Sequence, residues 1–228
     1  MLNGVRTKLL EDNIEKYANN SIIVVENQVI LDYYIFEKIM NKKKSIPKPI
    51  QWLQLILSAP GVFFKAIVNN FPAELFGNAL RRWYYCRKFY AYGEDSTIHD
   101  GCVIYYPELI QIGAHSHIGR YSDLNPGPGT SDPPSIIIGD YAFIGPYSYF
   151  RSANHRFEDP DVLFIKQGHD EKKIIIGSDV YIGAYCVFLG GSEIGDHCVI
   201  AAGSVVSGKI PSYAVAGGNP CRVIRFRK

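Results

Sequence analysis

Ile176-Gly177-Ser178-Asp179-Val180-Tyr181-Ile182-Gly183-Ala184-Tyr185-Cys186-Val187-Phe188 opens the stretch that decides the fold, and Ile194, Ile200 and Val206 continue it. A large apolar residue returns at every sixth position. Working outward, the same spacing reappears in Ile138, Ile144 and Phe150, in Ile112, Ile118 and Leu124, and more weakly in Ile98 and Ile104. The pair Ile-Gly occurs seven times, at Ile112, Ile118, Ile138, Ile144, Ile176, Ile182 and Ile194. A period of six fits neither an amphipathic helix nor a plain strand. It suits short strands joined by tight turns, three of which close a triangular coil and send one side chain each to a common axis. Each buried isoleucine contributes about 1.5–3 kcal/mol, and each coil covers its edges only by stacking on its neighbours. Small residues are expected at the corners, with the glycine after each isoleucine supplying the turn.

The count breaks twice. Ile112 to Ile138 and Phe150 to Ile176 are both 26 residues apart, which is not a multiple of six. Two loops are therefore expected to leave the coil, at about 125–137 and 151–175. Long loops on a regular scaffold are where binding and catalysis concentrate.

The rest of the chain bounds the function class. Its 228 residues are 47% apolar, 13% aromatic and 20% charged, a globular composition that excludes disorder over most of the length. A net charge of +2 argues against a dedicated nucleic-acid binder. Five cysteines without a C-x-x-C pair make neither a disulfide framework nor a zinc ribbon and fit a reducing compartment. The first ten residues carry charges and no apolar core, so no secretory leader is expected. Residues 50–68 come nearest to a membrane span but are broken by Gln51, Gln54, Pro60, Gly61 and Lys65. A pair of core helices or a segment lying on a membrane surface fits them better.

Charge and period divide the chain at the same place. Residues 1–92 hold 13 Lys and Arg against 7 Asp and Glu, and residues 93–228 hold 11 against 15. The first part reads as mostly helical, with helices expected near 5–17, 50–57 and 72–90, an ambiguous stretch over 21–40 and a basic linker over 41–49. Its last helix interleaves cations and aromatics, as Arg81-Arg82-Trp83-Tyr84-Tyr85 and Arg87-Lys88. That pattern suits an anionic lipid surface, or a helix packing its aromatics on the next domain while its cations stay in water.

The repeat stretch resembles the hexapeptide-repeat acyltransferases, specifically the maltose, galactoside and xenobiotic O-acetyltransferases. The resemblance covers about residues 95–228. It rests on Ser152-Ala153-Asn154-His155, the repeats from Ile174 to Ala184, Ile194-Gly195-Asp196-His197-Cys198-Val199-Ile200-Ala201-Ala202-Gly203-Ser204-Val205-Val206, and Gly217-Gly218-Asn219-Pro220-Cys221-Arg222-Val223-Ile224. It implies a mainly β fold, a left-handed parallel β-helix following the helical N-terminal region, assembled as a homotrimer. It also implies acetyl-CoA as donor and a hydroxyl or amine as acceptor. The segment Leu80-Arg81-Arg82-Trp83-Tyr84-Tyr85 leading into the repeats is similar to acetyltransferases that decorate bacterial surface polysaccharides. The expected setting is the cytoplasm, peripherally at the inner membrane face through residues 50–90.

Residue by residue, the resemblance implies that His155 is the general base, taking the proton of an acceptor that attacks acetyl-CoA directly. A neutral imidazole suits that task. His169, in the same loop, is the alternative base. Asp123, Asn125 and Asn154 are expected to meet the acceptor, with Arg151 and Asn154 flanking the base. Gly183, Ala184, Ala201 and Ala202 are expected along the pantetheine arm, with Lys209 and Arg222 near the phosphates. No metal is expected. Histidines spaced as His-x4-His, which mark the zinc-dependent β-helix carbonic anhydrases, do not occur, and His115-x-His117 reads as two exposed residues on one strand face. Cys102, Cys186 and Cys198 read as small core residues within the repeats.

The chain departs from the family pattern in places. Tyr181 stands for a tryptophan, Gly190-Gly191-Ser192 for a Pro-Gly-Val corner, Ala201 for a glycine, and the cation after Ser-Val-Val is displaced by one to Lys209. These changes weaken the transfer of acceptor specificity. Two other functions stay open: N-acetylation of a nucleotide-linked amino sugar, and a non-catalytic β-helix scaffold.

Overall fold

The computed structural model describes residues 60–127 and 133–228. Two compact units divide the chain, Met1–Val62 and Phe63–Lys228. The helices expected near 5–17 and 50–57, the stretch 21–40 and the linker 41–49 lie outside the described residues. Strands are numbered here in chain order, from β1 (Ala91–Tyr92) to β20 (Arg222–Phe226).

The second unit is a coil of short strands stacked into three parallel ladders. One carries Ile112, Ile138, Ile176, Ile194 and Ile210 in register. The next carries Ile98, Ile118, Ile144, Ile182, Ile200 and Ala216. The third carries Ile104, Leu124, Phe150, Phe188 and Val206. Almost every one of these side chains is excluded from solvent. Phe150 and Phe188 stack at 4.7 Å with a 9° interplanar angle, filling the axis where the third ladder turns aromatic. The six-residue period therefore maps onto three faces, and the fold is the left-handed parallel β-helix.

The corners are built differently from expectation. None of the seven glycines of the Ile-Gly pairs has a positive φ. They are small because the neighbouring coil crosses them. A Cβ at Gly183 would lie 2.5 Å from the Ala202 nitrogen, and one at Gly139 would lie 2.7 Å from the carbonyl carbon of Gly177. The left-handed turns fall instead to bulky residues, among them His115, Tyr121, Tyr141, Tyr147, Tyr185, His197 and Tyr213. Each such residue costs about 1–2 kcal/mol. Stacking along the corner column offsets that cost. Tyr121, Tyr147 and Tyr185 lie at 5.2 and 4.9 Å, and His115 on Tyr141 and His197 on Tyr213 repeat the arrangement. His115 is thus a corner residue, while His117 starts β5 (His117–Ile118) and meets the Thr97 hydroxyl at 2.6 Å, so the two do not share one strand face.

The break in charge and period at 92/93 is not a break in packing. The helix expected over 72–90 is shorter: a 3₁₀ turn at Ala73–Leu75, a left-handed Phe76, then an α-helix over Gly77–Tyr85. Tyr85 and Phe89 join the core of the coils. Arg81, expected at a lipid surface or in water, is wholly buried. Its Nε donates to the Ile98 carbonyl at 2.6 Å, Nη1 to those of Phe71 and Val68 at 2.6 and 3.2 Å, and Nη2 to Asn78 Oδ1 at 2.9 Å. The residues 63–70, which are helical, and the Gly77–Tyr85 helix are thereby tied to the first coil.

Candidate active site

Both insertions leave the coil from the ladder that carries Ile104, Leu124, Phe150, Phe188 and Val206. Strand β6 (Asp123–Asn125) runs directly into the first, and strand β9 (Tyr149–Arg151) into the second. Alternate residues of these strands face outward because Leu124 and Phe150 face the axis. Asp123 therefore neighbours Tyr149, and Asn125 neighbours Arg151, on one outer surface.

The second insertion carries its own two-stranded antiparallel hairpin, β10 (Ala153–His155) with β11 (His169–Glu171). Its registry sets Asn154 opposite Asp170 and His155 opposite His169. The two imidazoles lie 4.2 Å apart at 44°, and the Phe164 ring meets His155 edge-on at 6.0 Å. Ser152 anchors the hairpin's base, its hydroxyl donating to the Pro126 carbonyl of the first insertion at 2.5 Å. The structure thus places Asp123 and Asn125 on the strand pair that leads into the hairpin, sets His155 and His169 opposite each other on it, and puts Arg151 near enough to His169 to act on its charge. The closeness of the two histidines was not visible in sequence, since thirteen residues separate them and only the hairpin's registry joins them.

Asp123 carries the strongest electrostatic signal of this group. Burial pushes its carboxyl up to about 6, against the opposing pull of the Arg151 cation. One of its oxygens is buried without a hydrogen-bond partner among the described residues. A raised carboxyl means that the folded protein binds the extra proton between about pH 4 and pH 6. Stability contributed here is therefore lost as pH rises through that window, and the deficit is complete above it. Asp123→Asn removes the deficit. Allowing for partial exposure, it should stabilise the protein by about 1 kcal/mol at pH 7.5 and leave it unchanged near pH 4. Urea unfolding at the two pH values measures this, and an equal effect at both would rule out burial of the charge as the cause.

The six residues expected around coenzyme A fall into two places. Gly183 and Ala184 follow β13 (Tyr181–Ile182), and Ala201 and Ala202 follow β16 (Val199–Ile200), so they stack on one corner of adjacent coils. Ala201 and Ala202 are exposed there. Lys209 and Arg222 line a cleft of about 300 Å³ between residues 206–210 and 221–223. Lys209 is already engaged, its ammonium 2.7 Å from Glu193. That partner was missed in sequence, although both residues point outward from paired strands. The cleft begins at Val206, three strands along the same ladder from Asp123, or roughly 14 Å at normal strand spacing. The buried Cys102, Cys186, Cys198 and Cys221 have their thiols pushed up by burial, which suits packing and not nucleophilic attack. No group of three or more metal-binding side chains occurs among the described residues.

Comparison with known proteins defines the class. Residues 173–208 match the bacterial transferase hexapeptide family (six repeats). A solved hexapeptide-repeat acetyltransferase of Vibrio cholerae, in complex with acetyl coenzyme A, superposes with a TM-score of 0.61 at 29% identity, covering 76% of this chain and 88% of that one. A galactoside acetyltransferase in complex with coenzyme A superposes with a TM-score of 0.62 at 26% identity, covering 84% and 90%. In sequence the chain is 33% identical to the galactoside O-acetyltransferase of Escherichia coli over 138 residues, 57% of this chain. It spans 63% of that relative's length, and 62% of the corresponding Lactococcus lactis protein. The fold is of the left-handed β-helix class, and residues 173–208 carry the hexapeptide-repeat signature. Within that class its likeness is to galactoside and maltose O-acetyltransferases.

Proposed function

We propose that the protein is an acetyl-CoA-dependent O-acetyltransferase acting on a sugar hydroxyl of a bacterial surface polysaccharide or its precursor. The observation that carries this reading is that His155 stands on a hairpin continuing from strand β9, whose partner strand β6 presents Asp123 and Asn125. Likeness to galactoside O-acetyltransferases and to proteins solved with acetyl-CoA or CoA supports it. Asp123, Asn125 and Asn154 accept and donate hydrogen bonds to the sugar and present one hydroxyl to His155. The imidazole takes the hydroxyl proton as the oxygen attacks the thioester carbonyl. The C–S bond then breaks and the departing CoA thiolate is protonated. Gly183, Ala184, Ala201 and Ala202 line the path of the pantetheine arm, and Lys209 and Arg222 meet its phosphates.

The enzyme works as a homotrimer in the cytoplasm. Exposure of Phe157, Leu163, Phe164 and Ile165 on the second insertion supports burial against another copy. Peripheral contact with the inner membrane face is supported by Phe63, Phe64, Ile67 and Trp83, all exposed, with the exposed Arg87 and with Lys88 lying over the Tyr84 ring. No helix among the described residues is long and apolar enough to cross a membrane. Co-sedimentation with anionic vesicles, lost on adding salt and weakened by Trp83→Ser, is the expected result; protein remaining in the supernatant refutes the membrane contact.

Thiol release from acetyl-CoA, measured over a panel of sugars, glycan fragments and nucleotide-linked amino sugars, tests the activity. Release that depends on a neutral sugar supports O-acetylation. Release only with amino sugars moves the assignment to N-acetylation, and failure to bind CoA at all leaves a scaffold.

A further inference from the structure

We propose that His169 is the positioning partner of His155, its imidazole set across the hairpin against the ring that takes the acceptor's proton. The inference rests on the reading of His155 as the base. Three observations carry it. The two residues are directly opposed in the β10–β11 pairing, so backbone registry and not chance rotamers brings them together. Their rings lie 4.2 Å apart. The Phe164 ring also meets His155, edge-on at 6.0 Å.

The physical consequence follows from Coulomb's law. Two imidazolium cations at this separation repel, so protonation of one ring disfavours protonation of the other. A base that must accept a proton beside an already charged neighbour is a poor base. The surroundings favour the productive distribution. Burial and the cations of His155 and Arg151 draw His169 away from protonation, against a smaller opposite pull from Glu171. Of the other charged groups nearby, Arg156 and Asp170 neutralise each other in an ion pair at 2.5 Å on the hairpin. Lys166 lies on the 3₁₀ turn that carries Phe164. His169 therefore supplies a surface against which His155 is oriented, without supplying a competing charge.

Substitution separates this role from simple packing. In the full-length protein, His169→Ala removes the ring that orients His155, so kcat should fall about tenfold, and His169→Phe, which restores a ring that cannot be protonated, should recover most of that loss. His169→Arg fixes a cation against the base, and kcat should fall on the order of 30-fold with KM for acetyl-CoA unchanged. An activity-independent readout is nuclear magnetic resonance of the imidazole signals across pH. The His169 signal should titrate at lower pH in wild type than in His155→Phe, where the neighbouring cation can no longer form. Identical His169 curves in the two proteins, or full activity of His169→Arg, would overturn the proposal. Retained activity of His155→Ala would instead overturn the base assignment, and the resonance experiment would still decide whether the rings are coupled.

Discussion

His155→Ala should lower acetyl transfer by about 10²–10⁴-fold, the usual contribution of a positioned general base. The loss should appear in kcat. The residues placed along coenzyme A stand on other strands, so KM for acetyl-CoA should hardly move. Folding should be unaffected, because the His155 side chain is exposed and takes no part in the core. Steady-state thiol release with the acceptor found in the panel, together with a thermal melt of the variant, measures both halves of the expectation. Activity within about fivefold of wild type, in a variant with unchanged melting, would remove the base from this position and make His169 the next residue to replace.

The second large effect is on stability. Arg81→Met keeps the apolar stem of the side chain but deletes the guanidinium and every donor. Three carbonyls, on Val68, Phe71 and Ile98, then lose the guanidinium that meets them in a site closed to water. Each unsatisfied buried carbonyl costs about 1–3 kcal/mol, and relaxation recovers part of the sum, so a loss of roughly 3–5 kcal/mol is expected. For a unit of this size that lowers the melting temperature by roughly 10 °C. Arg82→Met is the internal comparison. Arg82 is only partly buried and makes longer bonds, 3.0 Å to the Gly93 carbonyl and 3.3 Å to that of Ser96. About 1 kcal/mol is expected there. Equal losses for the two variants would mean that burial of Arg81 does not govern the attachment of the helices to the coil.

These two arginines also show where reading the chain ends. In sequence Arg81 and Arg82 are adjacent members of one basic aromatic run and invite the same interpretation. In space one is sealed between two helical segments and the first coil, and the other reaches its rim. No local pattern separates them, because what buries Arg81 is the return of the Ile98 carbonyl from a strand that begins after the run has ended. The site divides in the same way. Asp123, Asn125, Asn154 and His155 could be singled out from motif and position. The opposition of His155 and His169, and the ion pair of Lys209 with Glu193, depend on which strands lie side by side.

By itself the sequence determined the coil: its three faces, the residues on its axis and the two places where the count fails. A period is a local property, and each isoleucine, leucine and phenylalanine chooses the interior for its own apolar surface whatever its neighbours do. Only the tertiary structure decided why the glycines are small, since the reason is the backbone of the next coil 2.5 Å from a missing Cβ at Gly183. It also decided that tyrosines and histidines take the left-handed corners, because the strain at one turn is offset by stacking on the turn of another coil. Such choices belong to pairs of distant segments, and neither member carries the signal alone.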